Sequence, residues 1–121
     1  MNDKKIGIGI GDAEATAQEF VKAWHRGEAG EPAEEPVERL YFQNLSTLLQ
    51  TLTPRRLELL KELHQTGPSS VRALAKTLLR DYKNVHQDIE VLERAGLVVR
   101  TADRRLSAPW GKVVAEISLA A

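Results

Sequence analysis

The sequence predicts an α+β fold, and three features carry that expectation. Between Thr53 and Ala95, apolar residues recur at three- and four-residue spacing in three successive segments. A short arginine-flanked hairpin pattern follows from Leu97 to Ser107. The chain opens on Ile6, Ile8 and Ile10 alternating with glycines, the pattern of a strand with one apolar face.

Taken in order, Lys4 to Ile10 reads as a short strand stopped at Gly11-Asp12. Asp12 is a good cap for a helix running to about Gly27, with Ala13, Ala17, Phe20 and Trp24 as its buried stripe. Glu28 to Pro36 is an acidic loop with two prolines, Val37 to Phe42 a second strand, and a short helix follows from about Asn44 to Thr51. Thr53-Pro54 is a strong start signal: a hydroxyl cap, then proline where no amide hydrogen bond is lost. The helix it opens runs to about Gln65 and presents Leu57, Leu60 and Leu63, with Leu59 alongside. Gly67-Pro68 ends it.

Ser69 or Ser70 caps the next helix, whose inner face is Val71, Leu74, Ala75 and Leu78. After a turn of about three residues, Asp81 caps a third helix. Val85, Ile89 and Leu92 share one face of that helix and pack inward, and Gly96 ends it in a left-handed cap. Leu97 to Arg100 and Arg104 to Ser107 then flank Thr101-Ala102-Asp103 as a hairpin. Pro109-Trp110 breaks the hairpin. Val113, Ala115, Ile117 and Leu119 alternate as a final strand, although Pro109 to Ile117 suits a helix nearly as well.

Two short helices joined by a tight turn and followed by a basic hairpin are the order of a winged helix-turn-helix, whose second helix lies in a DNA major groove. The expected organisation is threefold. Residues 1–52 form a strand-helix-strand extension that dimerises or braces, residues 53–108 form the winged helix-turn-helix, and residues 109–121 pack on the N-terminal part.

Charge supports that division. The 17 basic and 17 acidic residues cancel overall, but residues 1–53 hold five Lys/Arg against nine Asp/Glu, and residues 54–105 hold eleven against seven. A basic half on an acidic body suits a reader that binds by one face, whereas charges of both signs that merely solvate helices are the plainer account. With no cysteine, disulfides and thiolate metal sites are excluded, which fits a reducing cytoplasm. No apolar run is long enough for a membrane span, and the first residues lack the continuous apolar segment of a secretory signal.

Lys83 and Gln87 lie nearly opposite the buried face of the third helix, with Asn84 to one side. A long cation suits guanine and amides suit adenine, so these three are the expected base readers. Arg80, Tyr82, His86, Arg100, Arg104 and Arg105 are the expected phosphate contacts. For Tyr82 and His86 a packing role competes with that one. Glu90, on the same outward face, repels phosphate and limits insertion beyond the second turn. No nucleophile–base pair or phosphate loop stands out, so neither catalysis nor a bound cofactor is expected. Ile6-Gly-Ile-Gly-Ile-Gly-Asp12 lacks the spacing of a nucleotide loop, and His25, His64 and His86 lack metal-ligand spacing.

Leu52-Thr-Pro-Arg-Arg-Leu-Glu-Leu-Leu60, Gly67-Pro-Ser-Ser-Val71, Leu74-Ala75, Arg80-Asp-Tyr-Lys-Asn-Val-His-Gln-Asp88 and Leu92-Glu-Arg-Ala-Gly-Leu97 resemble the small prokaryotic predicted transcriptional regulators with a MarR-like winged helix. The resemblance extends over nearly the whole chain, and Arg80 to His86 is its most specific part. It implies sequence-specific binding of double-stranded DNA and self-regulation, expected as autorepression, in a family whose members often serve as the antitoxin half beside a toxin-like partner protein; a homodimer is expected separately, because one short helix offers too few base contacts for useful specificity. Leu79 departs from the pattern, which usually has glycine there; a leucine fits if the turn stays close to helical. The alternative reading is a protein-interaction module that uses the acidic Glu28 to Glu38 loop on a basic partner without reading DNA.

Overall fold

The computed structural model describes residues 4–11 and 38–117; the helix expected from Asp12 to Gly27 and the acidic loop after it lie outside these residues. Among the described residues the chain is α+β. Its elements are β1 (Lys4–Ile10), β2 (Glu38–Phe42), α1 (Leu45–Thr51), α2 (Pro54–Thr66), α3 (Val71–Leu78), α4 (Tyr82–Ala95), β3 (Val99–Arg100), β4 (Leu106–Ser107) and β5 (Trp110–Ala115). They fall into two compact units, one spanning Leu49–Pro109 and the other the remainder.

The sheet unit holds β1 between β2 and β5, both parallel to it. As the central strand, β1 is covered on both faces: Ile6 and Ile8 are fully buried, and Gly7 and Gly9 are buried too. Gly11 ends it at φ 90°, and its N–H donates to the Phe42 carbonyl at 2.8 Å. Within the C-terminal segment Trp110–Ala115 is a strand, in which Val113 pairs with Ile6 and Val114 with Gly7; Ile117 lies beyond its end, and Leu119 falls outside the described residues. Gly111 and the two adjacent valines are poor helix formers, and an open sheet edge rewards their β preference. Asn44 caps α1 by accepting from the Thr47 N–H at 2.8 Å.

In the helical unit, the Thr53 hydroxyl accepts from the Arg56 N–H at 3.3 Å, and Pro54 opens α2. The buried stripe differs from the expected one. Leu59, Leu60 and Leu63 are buried, whereas Leu57 is 44% exposed. The half-buried Arg56 completes the stripe, at the i, i+3, i+4, i+7 spacing that a count of apolar residues alone misses.

Ser70 caps α3 by accepting from the Ala73 N–H at 3.1 Å, and Leu74 and Ala75 face the core. The turn that follows does not stay near-helical. Leu79 is left-handed, at φ 55° and ψ 43°, so the Arg80 N–H reaches back to the Ala75 carbonyl at 3.0 Å. For a non-glycine residue that conformation costs about 1–2 kcal/mol. Asp81 then caps α4 through the Lys83 N–H at 3.1 Å.

Val85, Ile89 and Leu92 are 0–1% exposed, so α4 is anchored by its apolar face, each side chain contributing about 1.5–3 kcal/mol of burial. Gly96, at φ 91°, ends the helix, and Leu97 and Val98 go straight into the core. β3 and β4 pair antiparallel, with Val99 opposite Ser107 and Arg100 opposite Leu106. A further bridge joins Ser69 to Leu106 through two backbone bonds of 2.9 and 2.8 Å. The hairpin is thereby fixed to the segment between α2 and α3. No helix among the described residues is long and apolar enough to cross a membrane.

Candidate nucleic-acid interface

Burying Val85, Ile89 and Leu92 turns the opposite side of α4 to solvent. Lys83, Asn84 and Gln87 are all exposed there, and their side chains make no hydrogen bond or ion pair among the described residues. Three donor-bearing groups sit within the first two turns of a rigid helix, free to meet an external partner. Tyr82 is exposed as well, with its ring stacked on His86 at a centroid distance of 5.9 Å. His86 Nδ1 lies 3.0 Å from Glu90 Oε1, one turn on. Glu90 is thus tied to the histidine at the edge of this face.

The hairpin arginines differ in how far they are committed. Arg100 donates through Nε and Nη2 to the Glu93 carboxylate at 2.9 and 3.2 Å, and through Nη1 to the Arg104 carbonyl at 3.2 Å. Those hydrogen bonds to Glu93 hold the guanidinium pKa above its ordinary value; partial desolvation opposes the effect and the carboxylate charge adds to it. The same fork-to-fork contact locks the hairpin to the end of α4. Arg105 pairs with Asp103 at 3.2 Å, both well exposed, so solvent screens the pair and it yields readily to a phosphate. Arg104 is exposed and forms no ion pair among the described residues.

Arg80 has a different setting from the other expected phosphate contacts. Its Nη2 donates to Asp88 Oδ2 at 2.7 Å, and Asp88 Oδ1 accepts from Arg56 Nε at 3.0 Å. Arg56 Nη1 also donates to the carbonyls of Gln50 and Thr51, at 2.9 and 3.1 Å, satisfying the C-terminal end of α1. One half-buried carboxylate on α4 therefore gathers α2 and the α3–α4 turn around it. Nothing local in the sequence marks Arg56 and Asp88, 32 positions apart, as partners. Arg72 and Lys76, absent from the expected contacts, are exposed one turn apart on α3; their four-residue spacing opposite Leu74 and Ala75 is the signal that marks them.

His64 is engaged through Nδ1 with the Ala108 carbonyl at 2.8 Å, a tie between α2 and the end of the hairpin. The described residues offer no group of three His, Asp or Glu side chains placed to hold a metal ion.

The helical unit is thus a three-helix and hairpin module with an unpartnered polar helix face and a basic hairpin. The family described as HVO_A0114 matches residues 51–115, from the end of α1 through β5. The match spans more than half of the chain, and the protein belongs to that family. No curated protein and no solved structure matches it.

Proposed function

We propose that this protein is a sequence-specific regulator that binds double-stranded DNA through a winged helix-turn-helix, with α3 and α4 as the helix pair and β3–β4 as the wing. The observation that carries this reading is the free polar face of α4. Lys83, Asn84 and Gln87 point outward because Val85, Ile89 and Leu92 are buried behind them. Amides and a lysine at the start of a groove-sized helix match the hydrogen-bonding edges of adenine and guanine. The exposed Arg104 and Arg105 supply the phosphate contacts. Tyr82 and His86, stacked on each other at the start of α4, each offer a polar atom to the backbone. Arg100 and Arg80 act chiefly by holding the hairpin and α4 in place.

One short helix offers few base contacts, so the working form is a homodimer on a two-fold-related site. Self-repression, and an antitoxin role toward a toxin-like partner, follow from the resemblance of the Arg80 to Asp88 run to MarR-like regulators. A protein that acts on its own gene meets that DNA in the cytoplasm.

Fluorescence anisotropy with a labelled duplex from upstream of the gene tests the reading. Binding is expected at low salt, weakening steeply as salt rises, and Arg105→Ala should reduce the slope of log affinity against log salt by about one. Absence of binding at low salt would refute DNA recognition and favour an adaptor that holds a partner protein.

A further inference from the structure

Two positions in the helical unit carry a side chain where the backbone is of the kind that favours glycine. Leu79 has φ 55° and Arg104 φ 68°, and they are the only non-glycine residues with positive φ among those described. Both lie in hydrogen-bonded turns that glycine usually completes. At Leu79 the Arg80 N–H closes back on Ala75; at Arg104 its own N–H closes on Thr101 before the chain rejoins the hairpin ladder. A left-handed residue with a Cβ is strained at each, and glycine would relieve it.

Neither side chain recovers that cost within the described structure. Among the described residues, Leu79, at 91%, is the most exposed large apolar side chain, and Arg104 is exposed without an ion pair. Strained conformations that persist without an internal benefit concentrate at functional sites. The placement fits that rule. Leu79 immediately precedes Arg80-Asp81 and the first turn of α4, and Arg104 lies in the loop of the hairpin.

We propose that Leu79 is a DNA-contacting residue, kept in a left-handed turn so that its isobutyl group packs on the apolar surface of the duplex, as Arg104 is kept in its turn to meet a phosphate. This deepens the DNA-binding reading and rests on it. The chemistry is a hydrocarbon contact, either with a thymine methyl in the groove or with a deoxyribose at its wall. Both positions trade stability for binding, so glycine at either makes a more stable protein and a weaker binder.

Full-length Leu79→Gly, Leu79→Asn and Arg104→Gly variants test this by thermal unfolding and by anisotropy on the upstream duplex, alongside the same duplex with deoxyuridine in place of thymidine. Each glycine variant should melt about 5 °C higher. Leu79→Gly and Leu79→Asn should each bind about fourfold more weakly, the effect of one methyl-sized contact, with the salt slope unchanged. Arg104→Gly should lose affinity and about one unit of slope. If deoxyuridine weakens the wild type and not Leu79→Gly, the contact is the thymine methyl; if it leaves the difference between the two intact, the contact is the sugar. Wild-type affinity in Leu79→Gly, or no rise in its melting temperature, would overturn the proposal while leaving the DNA reading standing. A wild-type chain that binds no duplex would overturn both.

Discussion

Asp88 accepts from two guanidiniums at once, and replacing it with asparagine removes the charge on which both depend while nearly preserving its shape. The side chains of Asp88, Arg56 and Arg80 are 14%, 20% and 19% exposed, so these pairs are neither surface ornaments nor fully desolvated. An exposed pair contributes up to about 1 kcal/mol, and breaking a fully buried one costs about 3–5 kcal/mol. Arg56 keeps its two carbonyl acceptors at the end of α1, which lowers the penalty on that side. Arg80 has Asp88 as its only ion-pair partner among the described residues, at 2.7 Å. Asp88→Asn should therefore cost about 2–3 kcal/mol, measured by urea unfolding with the slope unchanged. Arg80→Met in the same background should add much less than it does alone, since the two positions share one interaction. A loss below about 0.5 kcal/mol, or strict additivity of the two changes, would refute the idea that this carboxylate organises α4.

Three further outcomes follow from the structure. Ile89→Ala opens a cavity beneath α4 and should lower stability by about 2–5 kcal/mol in the same unfolding assay, because the side chain is 1% exposed. Asn84→Ala should leave stability within about 0.5 kcal/mol of wild type, since the residue is exposed, and weaken binding to the specific site by about 1–3 kcal/mol with little effect on random duplex. Equal losses on both duplexes would refute a base-reading role. The Asp103 carboxyl is held below its ordinary value of 3.8, chiefly by the hydrogen bond from the Thr101 hydroxyl; desolvation opposes it, and the Arg105 charge and backbone N–H groups assist. Because its folded pKa is depressed, its contribution to the hairpin loop is present above the ordinary carboxylate value and is lost as pH falls through the folded one. An NMR titration of Asp103 should show the low midpoint, and Thr101→Val should move it upward.

Much of the helical unit could be read locally. Thr53, Ser70 and Asp81 cap helices because a short side-chain oxygen satisfies amide groups two or three residues on, and that chemistry needs no distant partner. The inward set Val85, Ile89 and Leu92 follows from helical spacing alone, and with it the outward set Lys83, Asn84 and Gln87. α2 was less legible. Its stripe is completed by Arg56, a residue that counts as polar until its partner is known, and Leu57 is left half in solvent.

By itself, then, the amino-acid order determined where helices begin, which side of α4 is apolar and which polar groups that side leaves free. These depend on neighbours within about one helical turn. The tertiary structure alone decided that Trp110–Ala115 is a strand, since a sheet edge beside β1 supplies backbone partners its own sequence cannot. It also decided that Arg80 and Arg100 are occupied by Asp88 and Glu93 while Arg104 makes no ion pair among the described residues. Long side chains select their partners by proximity in space. The left-handed turn at Leu79 belongs with these, because its strain is tolerated only where packing of the flanking helices fixes the direction of the chain.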